Sequence, residues 1–179
     1  MKSSAAECTQ TRQGLWELAD RRMSHGAVAV DLEADSMHHF EEKVCLIQLG
    51  TDRACHIVDP LAVGDLSDLK PLFADPNVVK ILHGADYDVR SLYRDFSIIV
   101  ENLFDTELAA RFLGYEATSL EAVLARHFGV ALDKKFQKKD WSVRPLPDEM
   151  ITYAADDVRY LVMLYEELKT ALEKKGRMK

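Results

Sequence analysis

Asp31 and Glu33 stand two residues apart in the run VDLEAD at 30–35. Strand side chains alternate, so both carboxylates point to one face while Val30 and Leu32 point to the other. The preceding AVAV offers no polar face, which marks a central strand covered on both sides. Two acids ending such a strand repel each other and lose hydration, and a cation or basic partners would rescue them. The plainer alternative is that the strand ends here and both acids reach water.

A third carboxylate lies in HGADYDVRSLYRDF, 83–96, where a buried strand turns into an amphipathic helix. Gly84 permits a tight turn. Asp86 fits the N-cap, which leaves Asp88 in the first turn with only the helix dipole to complement. His83 reads either as a buried, hydrogen-bonded histidine or as a ligand. A fourth carboxylate lies in PDEMITYAADDVRYLVMLYEEL, 147–168. Tyr153 and Asp157 are four apart and share a helix face. Leu161 and Leu164 flank Asp157 on that face, so it is expected to be partly buried, while Asp156 points about 100° further round and is better solvated. A structural hydrogen bond between tyrosine and carboxylate would account for this pair as well.

The elements that must position these groups follow from periodicity. Residues 11–24 read as a helix with an apolar stripe of Leu15, Trp16, Leu18, Ala19 and Met23. Three strands follow at 27–34, 44–50 and 53–58, joined by short polar connections as an antiparallel meander that Asp59-Pro60 ends. A helix at 65–74, a buried strand at 78–82 and a helix at 86–96 come next. Helices over 105–113 and 119–128 are closed by Gly114 and Gly129, and one long helix runs over 147–174. The order βββαβα followed by helices predicts an α/β domain with one mixed sheet and helices packed on it.

Composition narrows the classes. Of 179 residues, 47% are hydrophobic and 30% charged, enough for a core and its cover, so a disordered chain is excluded. No apolar run approaches the ~20 residues that span a bilayer, and MKSSAAECTQTRQGLWELAD lacks an apolar signal core. Three cysteines, Cys8, Cys45 and Cys55, show no CxxC spacing, which argues against a disulfide scaffold and for a reducing, cytoplasmic setting. The net charge of −7 is unlike that of an abundant nonspecific nucleic-acid binder, yet it is compatible with nucleic acid if the carboxylates surround metal ions.

Each acidic signal is weak alone; their order along the chain is not. DLE at 31–33, HGADYD at 83–88, FDT at 104–106 and YAADD at 153–157, supported by KVCLIQLG at 43–50 and KKDWSVRPLP at 138–147, resemble the RNase D group of DEDD-type 3′-5′ exonucleases, in the subclass with a tyrosine in its third motif. The resemblance covers about residues 12–175 and implies an RNase H-like fold: a three-stranded antiparallel meander plus parallel strands, flanked by helices. Residues 1–179 are then one exonuclease catalytic domain. RNase D itself continues into helicase-and-RNase-D C-terminal modules, so the chain, ending in EKKGRMK, is either a single-domain relative or, the preferred reading, the catalytic part of a longer RNase D-like protein.

The resemblance also implies roles. Its four acids fall on Asp31, Glu33, Asp88 and Asp157, and its tyrosine on Tyr153. Phosphodiester hydrolysis must neutralise phosphate charge, activate water and stabilise the leaving oxygen, which two divalent ions accomplish together. Hard oxygen ligands select Mg²⁺ or Mn²⁺ over zinc. Asp31 would bridge both ions, Glu33 and Asp157 would complete the site that holds water, Asp88 would hold the second ion, and Tyr153 would orient the water. Mutual repulsion should raise the pKa values of the metal-free acids.

The implied partner is RNA with an accessible single-stranded 3′ end, or DNA, and no membrane. Residues 134–144, KKFQKKDWSVR, carry a local charge of +4, with Phe136 and Trp141 among the lysines. Lys138 and Lys139 are candidates for phosphate contact and Trp141 for base stacking; a solvated loop with its aromatics in the core is the alternative. Met37 and His38, beside His39 and Phe40 after the acidic strand, and His83 complete the candidate nucleic-acid contacts, against a plain turn. The activity implied is release of nucleoside 5′-monophosphates from the 3′ end of RNA. Alternatives are the same chemistry on short oligonucleotides or single-stranded DNA, and an inactive nuclease-like binding module.

Overall fold

The computed structural model describes residues 7–22, 26–52 and 54–178; Met23 of the predicted first stripe lies outside them. Its centre is a six-stranded sheet with the order β1-β4-β3-β2-β5-β6. β2 (Ala27–Ala34), β3 (Val44–Gly50) and β4 (Cys55–Val58) form the antiparallel meander. β5 (Val79–Leu82) runs parallel to β2, and β6 (Leu103–Asp105) parallel to β5. β1 (Glu7–Thr9) adds in parallel to β4. β2 is central, as its unbroken apolar approach predicts.

The pleat of β2 divides the core. Val28, Val30 and Leu32 face a layer made by α1 (Arg12–Arg22), α3 (Lys70–Ala74) and α4 (Asp86–Phe96), with Leu15, Leu72, Phe73 and Leu92 buried between. Ala29 faces the opposite layer, built from α5 (Thr106–Leu113), α6 (Leu120–Phe128), α7 (Asp148–Arg159) and α8 (Leu161–Lys174). Asp31 and Glu33 share the parity of Ala29 and therefore point into this second layer, beneath α7.

Several elements differ from the periodicity reading. β1 and β6 span three residues each, too short for any alternation to register. A one-turn helix α2 (Pro60–Val63) starts at the Asp59-Pro60 pair, where the Asp59 side chain accepts the Leu61 and Ala62 amides. The segment read as one helix over 65–74 is a 3₁₀ turn, Ser67–Leu69, followed by α3, with Pro71 in the first turn of the new helix. The predicted long helix breaks at Tyr160. α7 packs on β2, β3 and β4, whereas α8 packs on α5, β2 and β5. Sheets twist, and two shorter helices with different axes follow the twist where one straight helix would not.

Candidate active site

Three carboxylates converge where β2 ends beneath α7. Oxygen atoms of Asp31, Glu33 and Asp157 all lie within 4.8 Å of one another. Register explains the β2 pair: Asp31 sits opposite Gln48 of β3 and Glu33 opposite Leu46, with an irregularity directly after Glu33 that ends regular pairing. Asp157 comes down from α7, held close by Ala154, Ala155 and Val158, all buried. A side chain at Gly50 would bring its Cβ to 2.9 Å from the Val158 carbonyl, so glycine there permits α7 its close approach to β3.

Asp88 stands outside that trio but its charge is felt there, adding to the repulsion on Asp31 and Glu33. It is buried in the first turn of α4. The turn that delivers it uses Gly84 at φ +71°, a conformation that favours glycine. Asp86 does not cap α4: the N-cap is Ala85, and Asp86 is exposed and paired with Arg90 at 2.6 Å. The amides of Gly84 and Ala85 instead donate to the carboxylate of Asp105, at 3.0 and 2.9 Å. The same carboxylate caps α5 through Glu107 and Leu108. Helix α4 thus has no side-chain cap, and the acceptor that holds its entry turn lies 20 residues away, out of reach of a local reading.

The acids are raised as expected, with burial the first cause and repulsion from neighbouring carboxylates the second. Desolvation, then Asp157, Glu33 and Asp88, holds the Asp31 carboxyl well above the ordinary range. Glu33 is pushed up to about 9 by burial, then by Asp157 and Asp88. Asp88 rises to about 7, by burial and then Asp105, and Asp157 to about 7, by burial and then Asp156. Asp156 itself is 44% exposed and pairs with Arg159 at 3.0 Å, as the helical phase predicts. Burial and the carboxylates of Asp157, Glu33 and Asp31 raise the Tyr153 hydroxyl above its ordinary value, so it stays protonated. The ring is seated edge-on against Phe136 at 5.6 Å and beside Trp141 at 6.1 Å.

Asp31, Glu33, Tyr153 and Asp157 line one open cleft of about 260 Å³, whose far wall includes Lys134 and Gln137. The donor set is all oxygen, acidic and desolvated, which fits a hard divalent cation.

The predicted substrate contacts divide. Trp141 is a correction: it is 1% exposed, packed with Cys45, Leu46, Ile57 and Ala154, and offers no face to a base. Its anchoring follows from Arg144, which donates to both oxygens of buried Asp59 at 2.8 Å and to the Cys45 and Trp141 carbonyls, stapling the loop to the sheet. Burial pushes the Asp59 carboxyl up, but the hydrogen bonds and charge of Arg144 outweigh it and hold it below the ordinary range. Of the five cations in 134–144, Lys134 pairs with Glu121, Lys135 with Glu149 and Arg144 with Asp59. Lys138 and Lys139 are exposed and have no ion pair among the described residues. They do not line the acidic cleft; Lys134 and Gln137 do, because successive turns through 134–139 set residues three apart on one side. Met37 is 66% exposed in the turn after β2, and His38 Nε2 lies 3.1 Å from the Lys138 carbonyl, so this turn docks on the basic loop. His83 is taken up by Thr106, Nδ1 to Oγ1 2.9 Å, and is not among the residues lining the cleft. Burial lowers its pKa, which keeps the ring neutral.

A mixed sheet in this strand order, helices on both faces and a carboxylate cleft at the end of the central strand define an α/β domain of the RNase H-like exonuclease fold. The chain belongs to the 3′-5′ exonuclease family, whose model matches residues 7–173. It is 40% identical over 163 residues to mouse exosome complex component 10, covering 90% of this chain and 18% of that protein. It superimposes on the catalytic core of Trypanosoma brucei RRP6 with a TM-score of 0.91 at 34% identity, covering 99% of this chain and 52% of that one. Escherichia coli RNase D, described as an exoribonuclease involved in structured RNA processing, matches with a TM-score of 0.92 at 29% identity, covering 98% and 47%. The chain thus spans a quarter or less of the length of the curated relatives it matches.

Proposed function

We propose that this domain hydrolyses RNA from its 3′ end, releasing nucleoside 5′-monophosphates with the help of two divalent ions, Mg²⁺ or Mn²⁺. The observation that carries the reading is the convergence of Asp31, Glu33 and Asp157 within 4.8 Å at a cleft shared with Tyr153. Asp31, Glu33, Asp88 and Asp157 would hold the ions. Divalent ions bound there would neutralise phosphate charge and make water nucleophilic near neutral pH.

The chain's own residues do the rest. Glu33, Asp88 and Asp157 retain protons into the neutral range without a cation, and would give them up on holding one. Tyr153 keeps its proton, so it orients the attacking water through a neutral hydroxyl and does not act as the base. A tyrosine in this role supports the reading of the domain as one of the tyrosine subclass. Lys138 and Lys139, exposed and without an ion pair among the described residues, would meet the incoming backbone, with Met37 and His38 on the turn that docks on their loop. Three free thiols suit a reducing compartment such as the cytoplasm.

The test is a set of 5′-labelled RNA and DNA oligomers of several lengths, incubated with Mg²⁺, Mn²⁺ or EDTA. A ladder shortening from the 3′ end on RNA, absent in EDTA and absent in Asp31→Asn, is expected. Cleavage that survives EDTA or Asp31→Asn would overturn the assignment, and a ladder on DNA alone would replace the substrate.

A further inference from the structure

Gln48 lies in the middle of β3 and is fully buried, yet neither its Oε1 nor its Nε2 has a hydrogen-bond partner among the described residues. A carboxamide left in this condition destabilises the fold, and an apolar side chain of the same shape would serve packing better. Its surroundings are apolar by register. Ile57 of β4 is directly opposite on one side, Leu46 precedes it on the same face, and α7 covers both with Met150, Ala154 and Ala155. On the other side the direct partner is Asp31. Residues opposite each other in an antiparallel pair project from the same face with their Cβ atoms about 5 Å apart. The carboxamide of Gln48 therefore stands beside the Asp31 carboxylate, which is the polar group its register offers.

We propose that Gln48 is a positioning residue for Asp31: in the ion-loaded site its carboxamide N–H donates to an Asp31 oxygen and fixes the rotamer that Asp31 presents to the ions. The inference rests on the proposed function, because it needs Asp31 to be a ligand. It differs from a packing role in where the effect appears. A group that only orients a ligand leaves the metal-free fold untouched and alters ion affinity and turnover. Removing such an outer partner weakens metal binding or activity by roughly 10- to 100-fold.

Gln48→Met conserves length and volume while removing both polar atoms, and Gln48→Leu is the second variant. Each is compared with wild type and with Asp31→Asn by the melting temperature of EDTA-treated protein, by calorimetric titration with Mn²⁺, and by kcat and KM on a labelled RNA oligomer. We expect the metal-free melting temperature of Gln48→Met to equal or exceed that of wild type. Mn²⁺ affinity should fall about 10-fold or more, and kcat should fall while KM for RNA holds. Wild-type Mn²⁺ affinity and kcat in Gln48→Met, with Mn²⁺ binding lost in Asp31→Asn, would overturn the role of Gln48 alone. So would losses that track a fall in metal-free melting temperature across both variants. Normal Mn²⁺ binding in Asp31→Asn would overturn the ligand assignment itself, and the role of Gln48 with it.

Discussion

Asp105, at the end of β6, accepts the backbone amide of Ala85 at 2.9 Å and that of Gly84 at 3.0 Å, and so holds the turn that delivers Asp88. One carboxylate also caps the next helix through Glu107 and Leu108. Two chain segments in neighbouring parallel strands are thereby fixed to each other at the edge of the acidic site.

Asp105→Ala should therefore cost more than an ordinary cap. Loss of a side-chain N-cap destabilises by ~1 kcal/mol, up to ~2 kcal/mol, and here two further amides lose their acceptor. Denaturant unfolding should show a loss at or above the upper value. Turnover of the remaining folded enzyme should fall as well, because Asp88 is no longer held. A loss of only a few tenths of a kcal/mol would show that water replaces the carboxylate without penalty.

Raised carboxyl pKa values have a defined sign in stability. Protonated acids favour the fold when their folded pKa exceeds the unfolded value, so that contribution is full below about 4 and is lost as pH rises through the folded values, about 7 for Asp88 and Asp157 and about 9 for Glu33. Asp59 has the opposite shift, and its contribution is complete above the ordinary carboxylate range, so it is flat in this window. The metal-free protein should melt at a lower temperature at pH 9 than at pH 6. Saturating Mn²⁺ should remove or reverse that slope, since it binds the folded state after displacing protons. Calorimetric scans with EDTA and with Mn²⁺ across the range measure both lines.

Asp156→Asn and Asp157→Asn separate the two neighbours in α7. Asp156 gives up an exposed pair with Arg159, worth well under ~1 kcal/mol, and most activity should remain. Asp157→Asn removes a member of the convergent trio and turnover should drop to background. Equal losses in steady-state rates would mean that the aspartates do not divide in this way.

Tyr153→Phe keeps the ring that Phe136 and Trp141 seat and removes only the hydroxyl. The rate should fall by roughly 10²- to 10⁴-fold, the span of a lost acid–base or positioning group. Mn²⁺ affinity by calorimetry should hold, and its loss would make the hydroxyl a prop for the carboxylates.

Replacing Lys138 and Lys139 by Ala removes two exposed charges that no carboxylate among the described residues neutralises. RNA affinity measured in Ca²⁺ over a salt series should weaken, with the salt slope reduced by about 0.7 per phosphate contact. The rate at saturating RNA should stay near wild type, since neither lysine lines the acidic cleft. Unchanged slope and affinity would take both residues out of the path of the strand.

The fold and its acidic site were legible in the sequence to different depths. Alternation along AVAVDLEA was enough to make β2 central and to send Asp31 and Glu33 to one face, because a strand's side-chain period is a local property of the backbone. Helical phase was enough to separate partly buried Asp157, turned to the trio, from Asp156, turned to Arg159. Relationships made across the sheet were not available locally. Trp141 became core because Arg144 reaches Asp59, 85 residues away in the chain, and draws its loop onto β3. Asp86 does not cap α4, and Asp105 holds the turn before it because parallel β5 and β6 bring their ends together. The place of Gln48 opposite Asp31 is likewise set by the register of β2 and β3. Period and phase are written within a few residues, whereas burial, register and the choice among competing acceptors depend on which distant segments meet, and only the tertiary structure decides that.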